Sequence, residues 1–274
     1  GILKIAQRAK SEGIKVMLSG DGADECFGGY SWYEYLGVKY QHSKANLNQP
    51  ILFAHDIGVG LEKRLEAISH LAGPERARAW HYYASEDDKK TLFSRNFISD
   101  LKSSTRIFSN WKNDLQWSSS DFISNDRDCY LPNEMLRKVD RMTMAHSIEG
   151  RTPFTSPSVM ALAKRIPYSM MKSGRVLKST LRKAYSDTIP RPVLERQKHG
   201  FNIPIDLWLK NEWRDLLMYA FSKESALSKH GIISNKSQEK AINMLHSTKR
   251  LSGHTLFSFI MLNMWLEQEY GNYC

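Results

Sequence analysis

Asp21, Asp24 and Glu25 crowd together among Gly20, Gly22, Gly28 and Gly29 in the string Leu18-Ser19-Gly20-Asp21-Gly22-Ala23-Asp24-Glu25-Cys26-Phe27-Gly28-Gly29-Tyr30. Glycines let the backbone take positive φ and bring its N–H groups close to a ligand. Clustered carboxylates repel a bare phosphate, so a polyanion fits here only with a divalent cation between them. Magnesium takes one or two carboxylates together with phosphate oxygens and water. The chemistry that this pattern allows is that of a magnesium-bound nucleotide. Residue types alone also allow a plainer reading, a glycine-rich turn whose acidic residues cap the next helix at the positive end of its dipole. The stretch contains neither Gly-x-Gly-x-x-Gly nor Gly-x-x-x-x-Gly-Lys-Ser/Thr. Spacing therefore gives a site but not a reaction.

A second group lies at residues 134–148. Met135, Val139, Met142, Ala145 and Ile148 recur at helical spacing and predict an apolar stripe, with Glu134, Lys138 and Arg141 on another face. Glu134 precedes Lys138 by one helical turn, the favourable order for an exposed ion pair of about 0.3 kcal/mol. His146 reads as a packed or hydrogen-bonded histidine. Farther on, Leu177, Leu181 and Ala184 share an inward face with Lys178 at its edge. A lysine so placed is usually a solvated charge. A fixed ammonium, however, stabilises the negative charge that develops on a transferring phosphoryl group.

The elements that must hold these residues follow from periodicity. Residues 2–10 carry Ile2, Ile5, Ala6 and Ala9 on one helical face, and Glu12-Gly13 supplies a stop. Ile14-Lys15-Val16-Met17-Leu18 has the length and branching of a buried strand that runs into the glycine-rich loop. Ligands of open α/β sheets gather at the carboxyl ends of strands, where this loop stands. Amphipathic helices are expected near 61–71, 75–85, 134–148, 176–185 and 255–270, with loops or short helices over 40–49, 103–121 and 222–237. The fold class expected is α/β, predominantly α-helical, with a remnant of parallel sheet at the start.

Composition bounds the rest. The 274 residues suffice for a real core, and the apolar run at 256–266 is too short to cross a bilayer. Cys26, Cys129 and Cys274 form neither a disulfide framework nor a Cys-x-x-Cys pair, which suits a reducing cytoplasm. The net charge of +10 favours a polyanionic partner, but no zinc finger, basic zipper or aromatic RNA-binding signature organises the basic groups, so nucleic acid is not the partner expected. The first residues lack the zones of a signal peptide and do not begin with Met, and a processed or truncated start is expected.

Three strings decide among these readings by resemblance. Ser19-Gly20-Asp21-Gly22-Ala23-Asp24-Glu25-x-Phe27-Gly28-Gly29-Tyr30 is similar to SG(D/E)G-x-DE-x-FGGY of the asparagine synthetase family. Tyr130-Leu131-Pro132-Asn133-Glu134-Met135-Leu136-x-Lys138-Val139-Asp140-Arg141-Met142-x-Met144-Ala145-x-Ser147-x-Glu149-x-Arg151-x-Pro153-Phe154 resembles that family's YLPN-(D/E)-x-L-x-KVDRMSMA-x-S-x-E-x-R-x-PF, although Thr155-Ser156 stands where the family usually has Leu-Asp. Gly174-Arg175-Val176-Leu177-Lys178-Ser179-Thr180-Leu181-Arg182-Lys183-Ala184 looks like G-K-x-x-x-K-x-x-LR-x-A, and the segment from Pro190 through Arg196, Lys198, Gly200 and Phe201 to Trp208 continues the likeness.

The resemblance implies an adenine nucleotide α-hydrolase-like synthetase domain of PP-loop type, here one domain over 1–274, with ATP and Mg2+ as cofactors. It implies that Ser19, Gly20 and Gly22 line the nucleotide pocket, that Asp24 with Glu25 holds the metal, and that Asp21 stands near the phosphates and the activated carboxylate. Lys178 takes the place of the lysine on the α-phosphate, and Lys198 lies near the nucleotide. Glu134, with Asp140 and Arg141, borders the acyl acceptor. The reaction implied joins a carboxylate, aspartate in the commonest case, to AMP and then to ammonia derived from glutamine. Relatives that act on β-lactam, carbapenam, lasso-peptide or glycan acceptors remain alternatives, as does a non-catalytic binding module. The family's glutamine-hydrolysing domain and SGG-x-DS loop are expected to be missing, so this chain alone is expected to be inactive. A homodimer stays open.

Overall fold

The structure is a computed structural model that describes residues 1–34, 36, 71–81, 84, 86–102, 117–174, 176–196, 203–247 and 252–270. It divides into two compact units, one of residues 1–39 with 116–198, the other of residues 40–115 with 199–274. The described residues are mostly helical and include a small parallel sheet of two strands. The expected helix at 61–71, save Leu71, the segment 40–49 and most of 103–121 lie outside them.

In the first unit the helix Ile2–Ser11 buries Ala6 and Ala9 against Ile148 and Met17, and Gly13 turns the chain out of it at φ +73°. Small inward residues let this helix lie close on the helix Arg137–Met144. The strand β1 (Val16–Leu18) runs parallel to β2 (Glu149–Arg151), with Val16 opposite Glu149, Met17 opposite Gly150 and Leu18 opposite Arg151. A Cβ at Gly150 would lie 3.0 Å from Val139 Cγ1 and 3.1 Å from Thr143 Oγ1, so β2 rests directly on that helix.

The expectation of a buried strand needs correction. Side chains alternate across a strand, and Met17 turns to the core while Val16 and Leu18, 38% and 73% exposed, turn away from it. A parallel strand is buried on both faces only where helices cover both. Among the described residues one face of β1 is covered.

The helix Ser119–Asn125 continues through a π-helical stretch, Asp126–Leu136, into Arg137–Met144. Pro132 lies inside the π stretch. A proline cannot donate to the preceding turn and crowds it, and the wider π turn, bonded five residues apart, takes it up without ending the helix. The expected regular stripe is accordingly kept only in part. Val139 and Ile148 are buried, whereas Met142 and Ala145 are exposed. Residues four apart no longer stack through a π turn, and Lys138 Nζ lies 3.4 Å from Met135 Sδ instead of meeting Glu134. A second core joins Cys26 and Phe27 of the helix Ala23–Phe27 to Ala163 of the helix Pro157–Ala163, flanked by Phe154, Met160 and Leu181. Burying a side chain such as Phe27 contributes about 2 kcal/mol, so this cluster ties the loop's helix to the rest of the unit.

In the second unit the helix Gly253–Tyr270 runs along a core that includes Leu92, Leu209, Leu227, Leu256 and Ile260. Asn263, which breaks the apolar run in the sequence, is buried and accepts from Leu227 N at 3.2 Å while donating to Glu267 Oε1 at 3.0 Å. The expected helices at 75–85 and 255–270 correspond to Gly73–His81 and Gly253–Tyr270. Within 222–237 the structure has the short helix Ala226–Lys229. No helix among the described residues is long and apolar enough to cross a membrane.

Candidate active site

The loop after β1 is fixed at both ends. Ser19 N donates to Arg151 O at 2.8 Å, which extends the pairing of β1 with β2 by one rung. The Ser19 hydroxyl donates to the Asp21 carboxylate, and Asp21 N reaches Ser19 Oγ at 3.4 Å. Gly22, at φ +89°, turns the chain into the helix Ala23–Phe27. A Cβ there would lie 2.7 Å from Thr155 Cγ2. Thr155, one of the two residues that depart from the family string, thus abuts the loop, with its hydroxyl bonded to Thr152 O at 2.8 Å.

Lys178 meets this loop although it stands far off in sequence. Its Nζ lies 3.0 Å from Asp24 Oδ2, with the two side chains 24% and 25% exposed. Gly29 forms the floor of the pair, because a Cβ on it would collide with Asp24 Oδ1 and Lys178 Cε. Lys178 itself is in the left-handed region, φ +55° and ψ +36°, at the start of the helix Ser179–Ala184. For a residue with a Cβ that conformation costs roughly 1–3 kcal/mol and must be imposed by its surroundings. Here the surroundings are identifiable. Ser173 and Val176 exchange backbone hydrogen bonds at 3.0 and 2.9 Å, and Ser179 Oγ and Thr180 Oγ1 both donate to Met170 O at 2.6 Å. The helix predicted over 176–185 therefore starts later, at Ser179, and Leu177 and Leu181 are half-buried while Ala184 is exposed.

Glu25 was expected beside Asp24 at a metal, and its position calls for a different role. Successive helical residues point about 100° apart, so adjacent carboxylates in Ala23–Phe27 do not share a face. Glu25 is 1% exposed and accepts from Tyr30 OH at 2.9 Å. Burial pushes its carboxyl above the ordinary range, with hydrogen bonds from its own backbone and Tyr30 opposing. Tyr30 stacks on Trp32 at 4.0 Å, and buried Tyr33 donates to Asp126 Oδ2 at 2.8 Å, at the start of the π stretch. Burial, then the nearby Glu25 carboxylate, raises the Tyr30 phenol. The Cys26 thiol, also buried, is pushed up to about 11, with Arg127 opposing. These groups form the rigid backing of the loop.

Ser19, Gly20, Asp21 and Gly22 follow β1 directly, and Asp24 and Lys178 meet at the end of that loop. Glu134 is exposed on the π stretch, and Asp140 and Arg141 are exposed on the helix after it. Among the described residues no hydrogen bond or ion pair joins Glu134 to Asp24 or Lys178. Lys198 lies outside the described residues. Reading by residue type counted Gly29 only among the loop's glycines and gave no separate part to Tyr30, since the Phe-Gly-Gly-Tyr string signals a turn and not the space that the turn must leave.

Among the described residues no three His, Cys, Asp or Glu side chains gather as a metal cage. Magnesium does not require one, because it keeps waters and takes one or two carboxylates beside substrate phosphates. The partly open Asp24 carboxylate fits that use, and buried Glu25 does not.

The sequence model described as asparagine synthase matches residues 1–267, across both units. Asparagine synthetase [glutamine-hydrolyzing] 1 of Bacillus subtilis (strain 168) is 29% identical over 215 residues, covering 77% of this chain and 34% of that protein. A putative asparagine synthetase [glutamine-hydrolyzing] of Mycobacterium bovis is 28% identical over 232 residues, covering 80% of this chain and 34% of its own length. The chain thus spans about a third of the length of the curated relatives it matches. No solved structure matches it.

Proposed function

This chain belongs to the asparagine synthase family, and from that premise we propose that it is the greater part of an ATP-dependent synthetase domain that activates a carboxylate as its adenylate and passes it to ammonia. Aspartate is the acceptor in this reading, and the relatives' glutamine-hydrolyzing names support glutamine as the ammonia source. The whole would be one domain of PP-loop type in a cytoplasmic enzyme, joined to a glutaminase and a phosphate-binding loop carried by other residues.

Two steps follow from that chemistry. A substrate carboxylate oxygen attacks the α-phosphorus of ATP, the bond to the pyrophosphate breaks, and an acyl-adenylate forms. Ammonia then attacks the acyl carbon, loses a proton, and AMP leaves. The loop backbone at Ser19, Gly20 and Gly22 lines the nucleotide, and Asp21 stands towards the reacting carboxylate. The Lys178 ammonium stabilises charge at the α-phosphoryl group as it transfers. Glu134 serves the acceptor side and Lys198 the nucleotide. Asp24 would hold magnesium, which supplies neutralising charge to the phosphates when bound.

The observation that carries this reading is the meeting of Asp24 and Lys178 at 3.0 Å beyond the carboxyl end of β1. In the longer enzyme, Asp24→Ala or Lys178→Ala should abolish ATP–pyrophosphate exchange while circular dichroism stays unchanged. Exchange retained in either variant would overturn the assignment.

A further inference from the structure

While Asp24 and Lys178 are bonded to each other, each is engaged by a charge with which a nucleotide or its cation would have to compete. The ammonium 3.0 Å from Asp24 Oδ2 takes up one carboxylate oxygen, and a divalent cation on the same carboxylate would stand close to that ammonium, where like charges repel. The pair is about three-quarters buried at each end, so water is a poor substitute partner for either group. The backbone of Lys178 is fixed from both sides by the Ser173 and Val176 turn and by the two hydroxyls on Met170 O. Its amine can therefore change partners only by side-chain rotation, and Gly29 leaves just enough room for the two chain ends to meet.

We propose that a divalent cation and Lys178 compete for Asp24, so that the cation must take the carboxylate before the lysine amine is free to receive the phosphate that accompanies the cation. Asp24 and Gly29 are then positioning residues for Lys178. The pair acts as a latch that keeps the amine on the loop until metal arrives. A doubly charged ion attracts the carboxylate more strongly than a single ammonium at the same separation, which sets the direction of the exchange. This inference rests on the functional reading above and adds an order of events to it.

Zero-length carbodiimide coupling of the purified chain reads the contact directly, because it joins a carboxylate to an amine only where the two touch. Mass spectrometry of the digest should show Asp24 linked to Lys178. Millimolar magnesium chloride alone, without nucleotide, should lower that yield about fivefold or more, a population shift of the size that modest differential affinity produces. The exposed pair of Lys90 and Asp87, 3.4 Å apart in the other unit, is the internal control and should keep its yield. Gly29→Ala should abolish the Asp24 link with the fold intact, since the added methyl meets the movable ends of two side chains and not backbone. An Asp24–Lys178 yield that magnesium leaves unchanged relative to the control overturns the competition, and so does failure to couple in the native chain. ATP–pyrophosphate exchange in the longer enzyme is scored separately. Exchange without magnesium suppression removes the latch and leaves the function, and suppression without exchange does the reverse.

Discussion

The backbone at Lys178 invites a comparison of two substitutions that a surface lysine would not distinguish. At φ +55° and ψ +36° the residue holds a conformation natural to glycine. A Cβ there costs roughly 1–2 kcal/mol. The ion pair with Asp24 offsets little of this, because a partly exposed pair contributes about 0.2–1 kcal/mol once solvent is allowed for. Lys178→Ala loses the pair and keeps the strain, so it should destabilise the fold by about 0.5 kcal/mol. Lys178→Gly loses the same pair and relieves the strain, while its freer unfolded chain costs about 0.4–1 kcal/mol. The glycine variant should thus be more stable than the alanine variant by on the order of 1 kcal/mol, near parity with the native chain. Urea unfolding followed by circular dichroism, with midpoints compared at equal slope, measures this. An alanine variant as stable as the glycine variant would refute the reasoning and show that the left-handed turn is not strained. The expected result means that a side chain at position 178 is held in a strained backbone conformation.

Asp206 accepts from Ser252 N at 3.2 Å and Gly253 N at 3.0 Å, and so caps the helix Gly253–Tyr270. Asp206→Ala should cost about 1 kcal/mol, and Asp206→Asn, which keeps an acceptor and loses the charge on the helix dipole, about half that, both read as a fall in Tm. Burial pushes the His254 imidazole below its ordinary range, with the Asp206 carboxylate opposing. A histidine lowered in the folded state contributes stability that is present above its unfolded pKa, about 6.5, and lost as pH falls through the folded value. His254→Gln should therefore flatten the decline of the urea midpoint between neutral and mildly acid pH, and an unchanged acid limb would count against this origin.

Much of the site was legible where the chemistry is local. The branched run at 14–18, the glycines of the loop and the stop at Gly13 each act through their own backbone, and the structure has the strand, the turn and the helix end there. What depends on distant neighbours was not legible. Leu18 has the composition of a core residue, but its exposure is set by which face helices cover. Pro132 marks an irregularity without telling that a π turn absorbs it and shifts the face of Glu134. The spacing of Leu177, Leu181 and Ala184 carries a helix straight through Lys178, whereas bonds to Met170 impose a left-handed start. Charge pattern alone set Asp24 and Glu25 side by side, and the angular step of a helix separated them into a half-buried partner of Lys178 and a buried support of the loop.

The parallel rungs between β1 and β2 join residues near one end of the first unit's sequence to residues far along it, and Lys178 comes later still. Contacts of such long range form slowly, because the intervening chain must be closed before they repay the entropy lost. On a ribosome, the acidic loop would emerge well before its sheet partner and its lysine. Assembly of this candidate site is thus a late event in biogenesis, and until it is complete β1 lacks the pairing with β2 that the folded unit has.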